Sequence, residues 1–158
     1  WHHIAVTYDG AVGRLYVDGW EAAVADIQEQ ALKDYGLHLG NAFQIIDDVL
    51  DYESDSDTMG KEVGDDLAEG KTTLPMIYAL ANTSDADKQL LEEAINNADN
   101  SKIDQVVAIL QSVNAFDYTR SQAKKSADLA KASLKHIHSS PYKDALTLLC
   151  DLSLARKS

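Results

Sequence analysis

Hydrophobic positions repeat in two different ways along this 158-residue chain. Over residues 1–20 they alternate: Ile4, Val6 and Tyr8, then a Gly-containing turn, then Leu15 and Val17 ahead of Asp18-Gly19. Alternation bounded by such turns predicts a β-hairpin. From Glu21 onward the spacing changes to three and four, and the pattern stays helical. The first helix is expected from about Ala22 to Tyr52, with Leu39, Phe43, Ile46 and Leu50 on one narrow face that should meet the core. Gly36 and Gly40 lie inside it, each costing about 1 kcal/mol relative to alanine, so close helix packing or a kink is expected there.

The later helices are punctuated by caps. Residues 53–73 form a polar, Gly-containing loop, and Pro75 stands near the start of a short apolar helix, "LPMIYALA". Ser84 with Asp87 opens a helix whose stripe is Leu90, Leu91, Ala94 and Ile95. Ser101 opens another, carrying Ile103, Val106, Val107, Leu110 and Val113. A further pattern runs from Tyr118 to Leu134, and Ser140-Pro141 starts the last helix, with Tyr142, Leu146, Leu149 and Cys150 inward. The fold class expected is all-α with a short N-terminal β-hairpin. A hairpin alone is marginal in water, and no other convincing strand is evident to join it.

One helical stretch, "FQIIDDVLDY", interrupts this logic. Asp47, Asp48 and Asp51, with Gln44, fall on an arc of roughly 100° beside the apolar face, because spacings of three and four keep side chains together. Like charges so placed repel by about 0.2 to 0.5 kcal/mol per pair, so they are either solvated or neutralised. A hard divalent cation such as Mg²⁺ would neutralise them, since it prefers carboxylate oxygen and is often shared with substrate phosphates. The plainer alternative is a solvated acidic stripe.

The loop that follows, "ESDSDTMGKEVGDDLAEGKTTLP", supplies Lys61 and Lys71 with the further acids Asp65 and Asp66. It is not a P-loop, because five residues separate Gly64 from Gly70-Lys71-Thr72 and no strand precedes it. Nor is it an EF-hand loop, since Met59 falls at a ligand position and Asp66 replaces the final glutamate. Lysines beside an acidic cluster suit a diphosphate if a metal bridges carboxylates to phosphate oxygens while the lysines hold the remaining charge; the equal alternative is a solvated turn with weak surface salt bridges.

Charge and composition narrow the partners. With 26 acidic and 14 basic residues the net charge is -12, which argues against a nucleic-acid face or an anionic membrane surface. Cys150 is the single cysteine; it excludes an intramolecular disulfide and fits a core position in a reducing, cytoplasmic setting. No apolar run approaches a membrane span, and the start has no signal-peptide pattern. The chain begins at Trp1 without Met, as a piece of something longer would. His2-His3 point to opposite faces of a strand, and His136 and His138 do not share a helical face, so neither pair is expected to bind metal. Lys124, Lys125 and Lys131 are expected on a solvated face, and "LARKS" carries basic groups suited to a helix end.

"LKDYGLHLGNAFQIIDDVLDY" followed by "MGKEVGDDLAEGKTTLP" closely resembles the second aspartate-rich region of trans-polyprenyl diphosphate synthases, in wording nearest to the octaprenyl diphosphate synthases of bacterial quinone biosynthesis. The likeness runs from about residue 22 to the end. It implies a partial isoprenoid synthase helical bundle and Mg²⁺-dependent elongation of a farnesyl-like allylic diphosphate with isopentenyl diphosphate. Carried onto this sequence, it makes Asp47, Asp48 and Asp51 metal ligands. Gln44, Lys61, Lys71 and Phe43 become substrate-binding residues, and Asp47, Asp48, Gln44 and Lys61 the catalytic set. It also places Asp66 as the loop aspartate, with Glu62 an added negative charge, and implies a homodimer for an intact family member.

Residues 1–20 are similar instead to a hairpin of laminin-G or concanavalin-like lectins, too short a match to carry lectin function. The expected division is therefore 1–20, a foreign or structural segment, and 21–158, the C-terminal part of a synthase domain. The first aspartate-rich motif of the family is absent, so the chain alone is expected to be inactive. The alternative is a non-catalytic helical subunit that holds Mg-diphosphate or pairs with a partner chain.

Overall fold

The computed structural model describes residues 4–8, 13–17, 20–25, 29–53 and 63–156. Strand β1 (Ile4–Tyr8) pairs antiparallel with β2 (Gly13–Val17), with Ile4 opposite Val17 and Val6 opposite Leu15. The predicted hairpin is thus present, and it is not alone. A third strand, β3 (Trp20–Ala25), pairs antiparallel with β2 in the order β1-β2-β3, with an irregularity between Leu15 and Tyr16. This corrects the expected helix start near Ala22. "WEAAVA" contains good helix formers, but a free sheet edge overrides so weak a local preference.

Helix α1 (Glu29–Glu53) is the long element of the fold. Its buried face is Tyr35, Ala42, Ile46, Val49 and Tyr52, whereas Phe43 is 45% exposed. The core face is therefore turned by roughly 70° from the one expected through Phe43 and Leu50. The reason lies in α6 (Ala115–Ser133), against which α1 packs most extensively. That helix presents Ala123, Ala127 and Ala130, all fully buried, and small side chains let Ala42 approach. The glycines have no such role: a Cβ at Gly36 or Gly40 would meet nothing within 4 Å.

Four further helices complete the bundle: α3 (Leu74–Asn82), α4 (Asp85–Asn97), α5 (Ile103–Ser112) and α7 (Pro141–Leu154). Ser84 and Ser140 cap α4 and α7 as predicted, their hydroxyls accepting from the N–H groups of Asp87 and Lys143. Ser101 does not cap α5. Asp99 accepts from the Ser101 N–H and opens a 3₁₀ turn, Asn100–Lys102, ahead of the helix. Helix α6 begins at Ala115, earlier than the apolar pattern suggested, after Asn114 in the left-handed region at φ 56°. Lys131, expected on a solvated face, ion-pairs with Asp151 at 2.5 Å and ties α6 to α7. Cys150 is buried, as expected, and Tyr35 donates to the Leu146 carbonyl at 2.9 Å, joining α1 to α7.

The core divides in two. Val49 and Tyr52 of α1 pack with Leu67, Met76, Leu91, Leu110 and Phe116 beneath the C-terminal half of the helix. Tyr35 and Ala42 pack with Ala127, Ala130, Leu134 and Cys150 toward its start.

Candidate functional site

The acidic stretch occupies the last two turns of α1, and the chain returns to it after the undescribed segment 54–62. Gly64 makes that return. Its N–H donates to the Asp51 carbonyl at 3.0 Å, and its φ of 84° lies in the left-handed region. That φ favours glycine, and a Cβ there would also stand 2.5 Å from Ile103 Cδ1 and 2.6 Å from Asn100 Oδ1, so both side chains would have to shift. Next comes a short helix inside the predicted loop, α2 (Asp65–Ala68), anchored by the fully buried Leu67. Sequence periodicity could not reveal a single turn with one apolar residue.

These returns bring main-chain donors onto two of the three aspartates. Asp51 Oδ2 accepts from the Asp66 N–H at 3.2 Å, and Asp48 Oδ2 accepts from the Leu74 N–H, at the start of α3, at 3.3 Å. Half-burial pushes the Asp48 carboxyl above its ordinary range. The Leu74 N–H opposes that shift, the charges of Asp66 and Asp47 add to it, and Lys71 counters them. Beneath lies Tyr52, whose hydroxyl burial pushes up to about 12, with Thr73 donating to its oxygen at 3.4 Å and lowering it against the charges of Asp51, Asp66 and Asp48.

Lys71 reaches the same side. It pairs with Glu69 at 2.6 Å and Asp66 at 3.1 Å, and these hydrogen bonds raise its pKa, Glu69 contributing most. The ammonium remains largely exposed, so these pairs are weak. Gln44 and Phe43 stand exposed one turn before Asp47 and Asp48. Lys61, Glu62, His2, His3 and Met59 lie outside the described residues, as does the side chain of His136.

One residue was not assigned from the sequence. Arg156, just beyond α7, places Nη1 2.7 Å from Asp47 Oδ1 and its guanidinium 3.9 Å from the centre of the Phe43 ring. The basic "LARKS" end was the available signal. Nothing local ties that segment to Asp47.

The donor set at the aspartates is carboxylate oxygen only. Among the described residues, no three His, Cys, Asp or Glu side chains close into an all-protein metal cage. Magnesium is commonly held by one or two carboxylates, waters and substrate phosphates, so carboxylates on one open helical face fit it chemically. A cavity of about 280 Å³ between β1, α1 and α7, lined by Val6, Leu32, Tyr35 and Leu146 among others, includes none of the aspartates.

The sequence pattern of the family described as Polyprenyl synthetase matches residues 18–113. The chain belongs to that family. It is 44% identical over 127 residues to the all-trans-nonaprenyl-diphosphate synthase (geranyl-diphosphate specific) of Rhodobacter capsulatus, a match covering 80% of this chain and 39% of that protein. With the octaprenyl diphosphate synthase of Haemophilus influenzae it shares 39% identity over 160 residues, covering 98% of this chain and 49% of the relative. Among solved structures, it resembles the polyprenyl synthase from Caulobacter crescentus CB15 complexed with calcium and isoprenyl diphosphate. The TM-score is 0.75 at 37% identity, over 82% of this chain and 40% of that one. The chain thus spans between two fifths and half of the length of these relatives. The helical bundle is part of the isoprenoid synthase fold. None of the helices searched among the described residues is long and apolar enough to cross a membrane.

Proposed function

We propose that this chain carries the second metal-and-diphosphate half of a trans-polyprenyl diphosphate synthase site, in an enzyme that elongates a farnesyl-like allylic diphosphate with isopentenyl diphosphate to a long-chain product for quinone side chains. The observation that carries this reading is the gathering of Asp47, Asp48, Asp51, Asp66 and Lys71 at the junction of α1, α2 and α3 in a family member. The domain is taken as residues 21–158, with 1–20 a structural segment.

In this reading Asp47, Asp48 and Asp51 hold Mg²⁺. The bound ion would supply charge stabilisation for the departing diphosphate. Lys71 exchanges Glu69 and Asp66 for phosphate oxygens, and Lys61 acts with it from the preceding segment. Gln44 and Phe43, one turn earlier on α1, face the allylic portion. The main-chain hydrogen bonds on Asp48 and Asp51 keep those carboxylates in position before any ligand arrives. A homodimer in the cytoplasm is the setting expected of an intact member.

Because this sequence contains a single D-D-x-x-D, we expect the isolated chain to bind diphosphate without turning it over. Calorimetry with farnesyl diphosphate, in Mg²⁺ or in chelator, should show Mg²⁺-dependent binding that falls at least tenfold in Asp47→Ala, and labelled isopentenyl diphosphate should not be incorporated. Binding indifferent to both metal and Asp47 would sink the reading. Robust incorporation would overturn the expectation of inactivity.

A further inference from the structure

Asp48 and Asp51 accept from backbone N–H groups, whereas the partner shown for Asp47 is a side chain from the far end of the chain. We propose that Arg156 is an internal counter-cation that occupies Asp47 in the metal-free protein, and that loading of a divalent cation evicts it and frees the turn beyond α7. This rests on the reading of Asp47 as a metal ligand.

Three features support exchange rather than a permanent bond. The pair is partly open, with side-chain exposures of 41% for Asp47 and 35% for Arg156, a setting in which ion pairs are weak and easily replaced. Arg156 Nη1 is shielded from solvent yet makes no aligned hydrogen bond, so charge and the stacking on Phe43 hold it without a directional lock. Finally, Arg156 lies past the last helical residue of α7, Leu154, where moving it unravels no helix.

A guanidinium cannot lose its proton at any ordinary pH, so it cannot share the carboxylate with a dication by becoming neutral. It must move. The Phe43 ring sets where Arg156 rests in the metal-free state, and eviction uncovers that ring beside Gln44. Metal arrival is thereby coupled to opening of the surface next to it.

The test uses the whole chain and Mn²⁺ alone as the probe, free ion being counted by electron paramagnetic resonance. Amide hydrogen exchange at the end of α7 is followed with and without the ion. Arg156→Ala should bind Mn²⁺ about three- to tenfold more tightly, and Arg156→Lys, which keeps the charge but loses the flat stack, should fall between. Exchange at Ala155 and Arg156, beyond the last helical residue, should rise on adding Mn²⁺ to the wild type and be high and unresponsive in Arg156→Ala. If Arg156→Ala binds Mn²⁺ no better while Asp47→Asn binds it worse, the counter-cation role is wrong and the metal reading stands. If Asp47→Asn binds Mn²⁺ as the wild type does, both are wrong.

Discussion

The two ends of α1 rest on cores of different grain. Beneath the acidic end the cluster is built from large side chains delivered by separate helices: Leu67 from α2, Met76 from α3, Leu91 from α4, Leu110 from α5 and Phe116 from α6. Toward the other end, Ala42 of α1 meets Ala127 and Ala130 of α6, with Cys150 of α7 completing a cluster of mostly small residues. Large side chains anchor the segments whose N–H groups reach Asp48 and Asp51. Small ones let α1, α6 and α7 lie close, and α7 in turn carries Arg156 to Asp47. One helix therefore holds two acids by the backbone and a third through a helix that packs on alanines.

This difference can be broken from either side. The largest effect is expected at Leu67, which is fully buried in a helix of only four residues. Leu67→Ala should cost about 2 to 5 kcal/mol in urea unfolding, from lost burial and the cavity left behind. It should also speed hydrogen exchange at the Asp66 N–H, which Leu67 helps to hold on Asp51. A loss below about 1 kcal/mol would mean that α2 is not what anchors the site. At the opposite end the damaging change is addition. Ala127→Leu should cost about 1 to 3 kcal/mol by overpacking, and should loosen the α7 segment while leaving the Asp66 N–H as protected as before. Equal disturbance of both regions would show that the two clusters behave as one.

The same difference explains what the sequence disclosed. The helical placement of the aspartates at the end of α1 was legible because its signal is local: acids at spacings of three and four on a helical pattern. Ser84 and Ser140 were legible because a cap acts on the next three residues. The orientation of α1 was not. Ala42 is a weak hydrophobe and Phe43 a strong one, so a wheel favours Phe43, yet the alanine face of α6 selects Ala42. The strand Trp20–Ala25 depends on an edge offered by β2, and Arg156 on a contact spanning most of the chain. Each of these is decided by a distant surface.

The smallest effect, and the one most specific to the large-residue end, concerns the charge on Asp48. Its carboxyl titrates above the ordinary 3.8 because half-burial disfavours the anion, with Asp66 and Asp47 adding repulsion that the Leu74 N–H and Lys71 offset only in part. The folded state therefore binds this proton more tightly than the unfolded chain does. The resulting stabilisation is complete below the unfolded value and is lost as pH rises through the raised folded value. At neutral pH without metal, the Asp48 anion is a net cost of folding. Asp48→Asn keeps the shape and an oxygen to accept from Leu74, so it should raise the urea midpoint at pH 7, with a gain that shrinks toward pH 4. A gain independent of pH would assign the effect to packing instead. Under the proposed function the sign reverses with Mg²⁺ present, because the wild-type anion then gains a cation that asparagine cannot hold as well, and the variant should become the less stable of the two.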